Sequence, residues 1–491
     1  MKLYLRGHSD RYALEQLQLC LFPAEAMEYT EAPFPKGEDG AVSALSRGTV
    51  YLTAIAEITR GGKTARVSRR MRCEKETVKA RRQLLQQCYY LAAVQLLPEA
   101  PPWGALAGVR PTKLTSRCLL SGGSERDADR LLRDVYFISP ERRALCLDAS
   151  RATVRASALL APTDLSLYLG IPFCPTRCAY CSFVSQSIER CADLLPAYLD
   201  ALEQEIAHTG RLLRESPYHI RTLYIGGGTP TTLSTAQMGR LMEAIAAHFD
   251  LSRLIEYTVE GGRPDTLSAE KLRLIREKGC GRMSINPQTM SDSVLRAIGR
   301  RHTTQDVRDA YRDAEAAGFD DINMDLIAGL PGDTADSFDG SLSEVLALAP
   351  GNITVHTLAR KRGADLFYAN AVLPPEEDVS EMLARTNARL RGAGYLPYYL
   401  YRQKYMSGGF ENVGWCLPGH EGLYNIYMME ELHTVLSLGG GGMNKINLPG
   451  GKIRRFHNPK FPQEYITRID RVLADKTEIF RILREEAGDV D

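Results

Sequence analysis

Between residues 166 and 375, short apolar runs alternate with helix-length segments. That alternation limits the fold more than any other feature of the chain. The runs are 167–171, 222–225, 255–259, 282–285, 322–327 and 353–357, each rich in Val, Ile, Leu or Tyr. Strands separated by helices pair in parallel through right-handed crossovers. Six such units predict an α/β fold, a partial (βα)6 barrel, and barrels of this kind gather their chemistry at the C-terminal ends of the strands. The helix ends are legible too. Pro196 opens one helix, with Leu199, Leu202 and Ile206 on one face. Ser234 and Gln237 form a capping box, and Gly279 and Gly318 stand where helices stop.

The first run leads straight into a cysteine loop, Tyr168-Leu-Gly-Ile-Pro-Phe-Cys174-Pro-Thr-Arg-Cys178-Ala-Tyr180-Cys181. Three cysteines spaced C-x3-C-x2-C make disulfides, hold a metal ion, or hold an iron–sulfur cluster. A closed zinc or [4Fe–4S] site takes four protein ligands. Three on a four-iron cluster leave one iron open to a small ligand. The competing reading is a zinc knuckle with Cys191 as a distant fourth ligand, although zinc sites usually pair two C-x2-C units.

Other polar residues fall at successive strand ends. Gly226, Gly227, Gly228 and Thr229 follow the second run, where bare backbone can approach a ligand. Glu260 ends the third run and Gln288 follows the fourth. Asp325 lies inside the fifth, an apolar strand in which a carboxylate is costly without a partner. Arg300 is the candidate partner for it.

The flanks read differently. Residues 1–165 mix strand-like runs, such as 50–58, with helices, and predict an N-terminal α+β domain. A basic segment, 60–82, reads as a solvated helix face, or as a surface for RNA or an acidic substrate. Residues 376–491 predict a smaller C-terminal domain covering the barrel mouth, with an aromatic stretch at 395–402, a flexible glycine loop at 439–442 and a helical tail. Lys+Arg at 61 nearly cancels Asp+Glu at 60, which argues against a nucleic-acid partner. The 11 cysteines are an odd, scattered set outside the loop, as in a reduced protein. With no signal peptide and no apolar run long enough to span a membrane, a cytoplasmic location is expected.

Together these residues resemble the radical S-adenosylmethionine (SAM) superfamily, and within it the oxygen-independent coproporphyrinogen III oxidases and their relatives. The motifs Tyr168-x-x-Ile-Pro-Phe-Cys174, Gly226-Gly-Gly-Thr-Pro230, Glu260, the Gln288 segment and Asp325-Leu-Ile-x-Gly-Leu-Pro331 carry the resemblance. Pro102-Trp-Gly-x-Leu-x-Gly-Val-Arg-Pro-Thr-Lys113 and Glu411-Asn-Val-Gly414 extend it to one branch, the coproporphyrinogen dehydrogenases. The resemblance implies a radical SAM barrel in which Cys174, Cys178 and Cys181 hold a [4Fe–4S] cluster. It further implies that Tyr168, Gly227 and Glu260 contact S-adenosyl-L-methionine. Tyr180, Gly228, Thr229, Gln288, Arg300 and Asp325 match positions lining a second such site, so the cofactor count is one or two. The implied activity is oxidative decarboxylation of coproporphyrinogen III to protoporphyrinogen IX, with an electron donor such as flavodoxin or ferredoxin. A haem chaperone, or an enzyme acting on another tetrapyrrole or on RNA, is the alternative. Two positions depart from the decarboxylating members: Phe183 replaces a fourth cysteine, a trait shared with haem-chaperone relatives, and Gly170 replaces His. Arg263, Arg282, Arg402 and Lys404 are candidate holders of substrate carboxylates, and His420 and His433 candidate haem ligands.

Overall fold

In the computed structural model the six apolar runs are all strands and lie side by side in chain order. The structure describes every residue except 23, 24, 26, 33, 34, 36, 184, 185, 360, 370, 404–408 and 489–491. It divides into two compact units, Met1–Leu147 and Asp148–Asp491, where the sequence suggested three.

The first unit carries β1 (Lys2–Arg6), α1 (Arg11–Leu21), β2 (Glu28–Thr30), β3 (Gly40–Arg47), β4 (Tyr51–Arg60), β5 (Lys63–Arg72), α2 (Val78–Ala93), α3 (Thr112–Leu120) and α4 (Glu125–Arg130), while α5 (Pro140–Ser157) runs across the division. Its sheet has the order β2-β1-β3-β4-β5. Leu14 and Leu17 of α1 and Leu85 and Cys88 of α2 bury against Leu3, Ala54 and Ile58 of the sheet. The basic segment is largely the edge strand β5, a correction to the helix face read from its charges. Its true period is two: Ala65, Val67 and Met71 turn inward between exposed Arg66, Arg70 and Arg72. Gly61 and Gly62, at φ 55° and 75°, close the two-residue hairpin from β4. Helix begins only at Val78, where the Thr77 side chain accepts from the Ala80 N–H.

The second unit contains β6 (Asp164–Ile171), β7 (Phe173–Cys174), β8 (Gln186–Ser187), α6 (Ile188–Cys191), α7 (Leu195–Arg214), β9 (His219–Gly227), α8 (Thr235–His248), β10 (Glu256–Gly262), α9 (Ala269–Glu277), β11 (Arg282–Ile285), α10 (Asp292–Ala297), α11 (Thr304–Ala316), β12 (Asp321–Ala328), α12 (Ala335–Leu348) and β13 (Asn352–Thr357). It continues through α13 (Glu376–Gly392), β14 (Leu396–Arg402), β15 (Glu411–Cys416), α14 (Leu423–Glu430), β16 (Thr434–Gly439), β17 (Met443–Leu448), β18 (Lys452–His457), α15 (Pro462–Thr467) and α16 (Ile469–Gly488). One sheet of 11 strands runs β14-β15-β13-β12-β11-β10-β9-β6-β16-β17-β18. The six parallel strands β6 and β9–β13 form its centre, as the strand–helix alternation predicts. The capping box of Ser234 and Gln237 opens α8, and Leu199, Leu202 and Ile206 of α7 are buried.

Residues 376–491 do not stand apart as a covering domain. They extend this sheet at both edges: β15 joins β13 antiparallel, and β16 joins β6 in parallel. Both strands are buried along their whole length, so their side chains are core. The glycine stretch after β16 is also held, by a buried polar knot. Glu205 of α7 accepts from the Gly439 N–H at 2.7 Å, from Asn458 Nδ2 at 2.9 Å and from the Tyr465 hydroxyl. Lys476 of α16, 1% exposed, pairs with Glu205 at 3.1 Å and donates to Ser437 O and Asn444 Oδ1. A buried ion pair contributes little net stability, but removing one partner strands the other charge. Glu205→Ala should therefore lower the stability of the second unit by about 3–5 kcal/mol in urea unfolding. Glu205→Ala/Lys476→Met should recover much of the loss, and equal destabilisation of the two would refute the stranded-charge account.

Candidate functional site

Strand ends, the cysteine loop and the C-terminal extension enclose a cavity of about 730 Å³. The cysteine loop leaves β6 and turns back at once, because two backbone bonds dock it on the glycine triplet. Gly228 N–H donates to Ile171 O at 2.8 Å, and Thr229 N–H to Phe173 O at 2.7 Å. The packing leaves no room for side chains. A Cβ on Gly228 would lie 2.6 Å from Phe173 O and 3.0 Å from Cys174 Sγ. Further along, Ala179 N–H donates to Ile298 O and Ala179 O accepts from Leu366 N–H, so both flanks of the loop are tied down.

Cys174, Cys178 and Cys181 all line the cavity. Burial pushes the Cys181 thiol up to about 11, partly offset by a backbone hydrogen bond at Phe183, and the neighbouring Cys178 and Cys174 raise it further. Among the described residues no three His, Cys, Asp or Glu side chains are grouped tightly enough to hold one ion. Three thiols on one cavity wall fit a cluster, in which each thiolate takes its own iron. Cys191 lies outside this wall and donates to Gln186 Oε1 at 2.7 Å, so it does not serve as a fourth ligand.

Tyr168, Tyr180, Gly227, Gly228, Thr229, Glu260, Gln288, Arg300 and Asp325 line the same cavity. Glu260 is half-buried on its wall and accepts from Tyr224 Oη at 2.6 Å and from the Gly227 N–H at 3.2 Å. Burial pushes its carboxyl up to about 7; the Tyr224 hydroxyl pulls it down and the Asp325 charge pushes it up. Tyr224 stacks on Tyr424, with ring centroids 4.5 Å apart, and Tyr168 lies beside both. Tyr424 is brought there by Glu256, whose carboxylate accepts from the backbone N–H of Leu423 and Tyr424 at the start of α14.

Arg300 donates to the Tyr180 hydroxyl at 3.1 Å and to Asn286 O, not to Asp325 as the sequence suggested. Asp325 is held instead by Asn323 Nδ2 at 2.8 Å and by His356 Nε2 at 3.7 Å. Burial raises its carboxyl, but His356, Asn323 and Thr354 outweigh that and leave it below its usual range. Gln288 adopts φ 70° between two bonds to β12, from its N–H to Asp325 O and from Ile327 N–H to its own carbonyl. Ser284 Oγ, Asn286 Oδ1 and Arg300 Nε, on residues that line the cavity, are buried without a protein partner. Unmet polar atoms beside a close-packed glycine backbone fit a polar cofactor such as S-adenosylmethionine.

Other expectations are corrected. Arg282 sits at the opposite end of β11, bonded to Asp321, Asn352 and the His420 carbonyl, and does not line the cavity. Arg402 donates to Gly409 O and is also outside it. Arg263 does line it but is engaged by Asp265 and Thr176, and Lys404 lies outside the described residues. His420 pairs with Asp321 and His433 bonds Ser166 Oγ at 2.7 Å, so neither faces the cavity; His356 does. Tyr224 shares a face with Tyr168 because the two are register partners on neighbouring strands, a relation that strand pairing alone reveals. Gly170 has a local reason: a Cβ there would lie 2.7 Å from Gly440 O, so the glycine stretch after β16 occupies the room a larger residue would need.

The radical SAM superfamily pattern matches residues 168–345. The chain is 40% identical over 380 residues to the oxygen-independent coproporphyrinogen-III oxidase-like protein HemZ of Bacillus subtilis, covering 76% of each chain. It is 36% identical to the heme chaperone HemW of the same organism, over 48% of this chain and 62% of that one. Among solved structures, coproporphyrinogen III oxidase HemN from Escherichia coli, a radical SAM enzyme, superposes with a TM-score of 0.52 at 26% identity, over 65% of this chain and 72% of that one. Membership of this superfamily implies a [4Fe–4S] cluster and S-adenosylmethionine. The chain thus belongs to the radical SAM superfamily and, within it, to the oxygen-independent coproporphyrinogen III oxidase-like family that contains HemZ.

Proposed function

We propose that this protein decarboxylates coproporphyrinogen III to protoporphyrinogen IX without oxygen. The observation that carries the reading is the single cavity in which the three cysteines, Glu260, the glycine backbone and several cationic side chains converge. When bound, the reduced cluster and S-adenosylmethionine supply a 5′-deoxyadenosyl radical. Cys174, Cys178 and Cys181 would each hold one iron. The Glu260 carboxylate would take the cofactor's amino group, and the backbone of Gly227 and Gly228 would lie against it. Tyr168 would pack on its other side, while Tyr180, Thr229, Gln288, Arg300 and Asp325 line the space beyond, where a second S-adenosylmethionine or the substrate would sit. Each propionate becomes a vinyl group by losing CO2, one hydrogen atom and one electron; a one-electron redox protein of the flavodoxin or ferredoxin kind serves the centre.

The haem-chaperone reading is favoured by one observation. Phe183, 72% exposed, lines the cavity where decarboxylating members carry a further cysteine. Incubating the anaerobically reconstituted protein with reductant, S-adenosylmethionine and coproporphyrinogen III separates the two. The tricarboxylic and dicarboxylic products are expected by mass spectrometry. No product, alongside stoichiometric haem binding, would establish the chaperone instead.

The Glu260 assignment has its own pH signature. The carboxylate form attracts the ammonium, and this carboxyl's pKa is about 7 before the cofactor binds. Affinity for S-adenosylmethionine should thus fall as pH drops from 7.5 to 6, by up to about tenfold per unit below the pKa. Anaerobic calorimetry reads the slope. Glu260→Gln should bind more weakly and lose the slope, and an unchanged slope in that variant would exclude Glu260 as its source.

A further inference from the structure

Cations were expected to hold the substrate's carboxylates, yet most cations on the cavity wall already have work. Arg263 is clamped by Asp265 at 2.7 Å and by Thr176 Oγ1 at 2.6 Å. Arg300 is bonded to Tyr180 and Asn286. Lys445 donates to Met428 O at 3.2 Å and lies 3.9 Å from Glu431. Each of these already has protein partners that a ligand would have to displace. Two lysines differ. Lys361, half-buried, and Lys460, exposed at the rim, both line the cavity, and among the described residues neither ammonium has a hydrogen-bond or ion-pair partner.

Their places in the fold are complementary. Lys361 follows β13, near Cys181. Lys460 follows β18, on the strand group that β16 adds beyond β6; Gly441 N–H holds the preceding Pro459 carbonyl at 2.8 Å. The two therefore approach one cavity from the two flanks of the parallel strands. A hydrated ammonium in a cavity wall without a protein anion is free to make a charge-assisted bond to an anionic ligand. Two such groups on opposite flanks suit a ligand with carboxylates on opposite edges, and suit poorly a ligand with a single carboxylate.

We propose that Lys361 and Lys460 are paired anchors for carboxylates at opposite edges of the substrate, and so select a tetrapyrrole with several peripheral acid side chains. This rests on the tetrapyrrole reading above. Lys361 lies near enough to Cys181 to serve the cluster instead, so the test separates those roles.

The probe is coproporphyrin III, the oxidised, unreactive tetracarboxylate, bound to the reconstituted full chain and followed by fluorescence quenching. Lys361→Met and Lys460→Met should each weaken binding about tenfold, the worth of one charge-assisted bond. Lys361→Arg and Lys460→Arg should restore it, and the tetramethyl ester of the same porphyrin, in mild detergent, should bind wild type and variants alike. Wild-type affinity in both Met variants overturns the anchor assignment while leaving the tetrapyrrole reading standing. A fall in iron content in Lys361→Met assigns that lysine to the cluster and overturns its role as an anchor. Failure of the wild-type protein to bind the tetracarboxylate overturns the tetrapyrrole reading itself, and this inference with it.

Discussion

The site depends on a backbone contact. The loop that carries Cys174, Cys178 and Cys181 is docked on Gly228 and Thr229 by main-chain hydrogen bonds, at a separation that a single Cβ would destroy. Because the contact is made by backbone, it sets where the loop sits without using the side chains that face the cavity. The thiols and the Thr229 hydroxyl are left on one cavity wall, while the Gly227 and Gly228 N–H groups are taken by Glu260 and Ile171 O. Crowding of this kind is bought with residue choice, and it explains why three consecutive glycines stand at the end of β9.

A second layer of support comes from the far end of the chain. β16 pairs with β6 from Thr434 to Gly439, and the Glu205–Lys476 knot holds the turn that follows. That turn passes over Gly170, two residues beyond Tyr168 on the strand that leads into the cysteine loop. On the other flank, Glu256 fixes the start of α14 and sends Tyr424 onto Tyr224, which donates to Glu260. Carboxylates thus do two different jobs. Glu205 takes three protein donors and the Lys476 ammonium, Glu256 takes two backbone N–H groups, and both hold backbone in place. Glu260, with Tyr224 and one N–H, is the one of the three that lines the cavity, and burial raises its pKa.

Much of this was legible in residue order. Apolar runs of strand length between amphipathic helices specify a parallel sheet whatever the surroundings, and loops at the C-terminal ends of such strands share one mouth. That is why residues as distant as Cys174 and Asp325 were predicted together and are found lining one cavity. The errors have physical causes as well. In the segment 60–82 the density of Arg and Lys masked a period of two that Ala65, Val67 and Met71 display. Arg282 looked available because strand membership does not tell which end of the strand faces the mouth; its guanidinium is spent on Asp321 and Asn352.

By itself the sequence determined the local chemistry: the three-thiol loop, the glycine triplet, the strand–helix rhythm and thereby the fold class. These depend on covalent spacing and on which residues can bury, both of which are present in the order of residues. Only the tertiary structure decided which polar side chains are already satisfied and which are not. It assigned Asp325 to Asn323 and His356, withdrew Arg282 and Arg402 from the cavity, brought Tyr424 in from a distant helix, and left Lys361 and Lys460 open to a ligand. A side chain's partners are chosen by what the fold brings within about 3 Å, a distance that sequence separation does not contain.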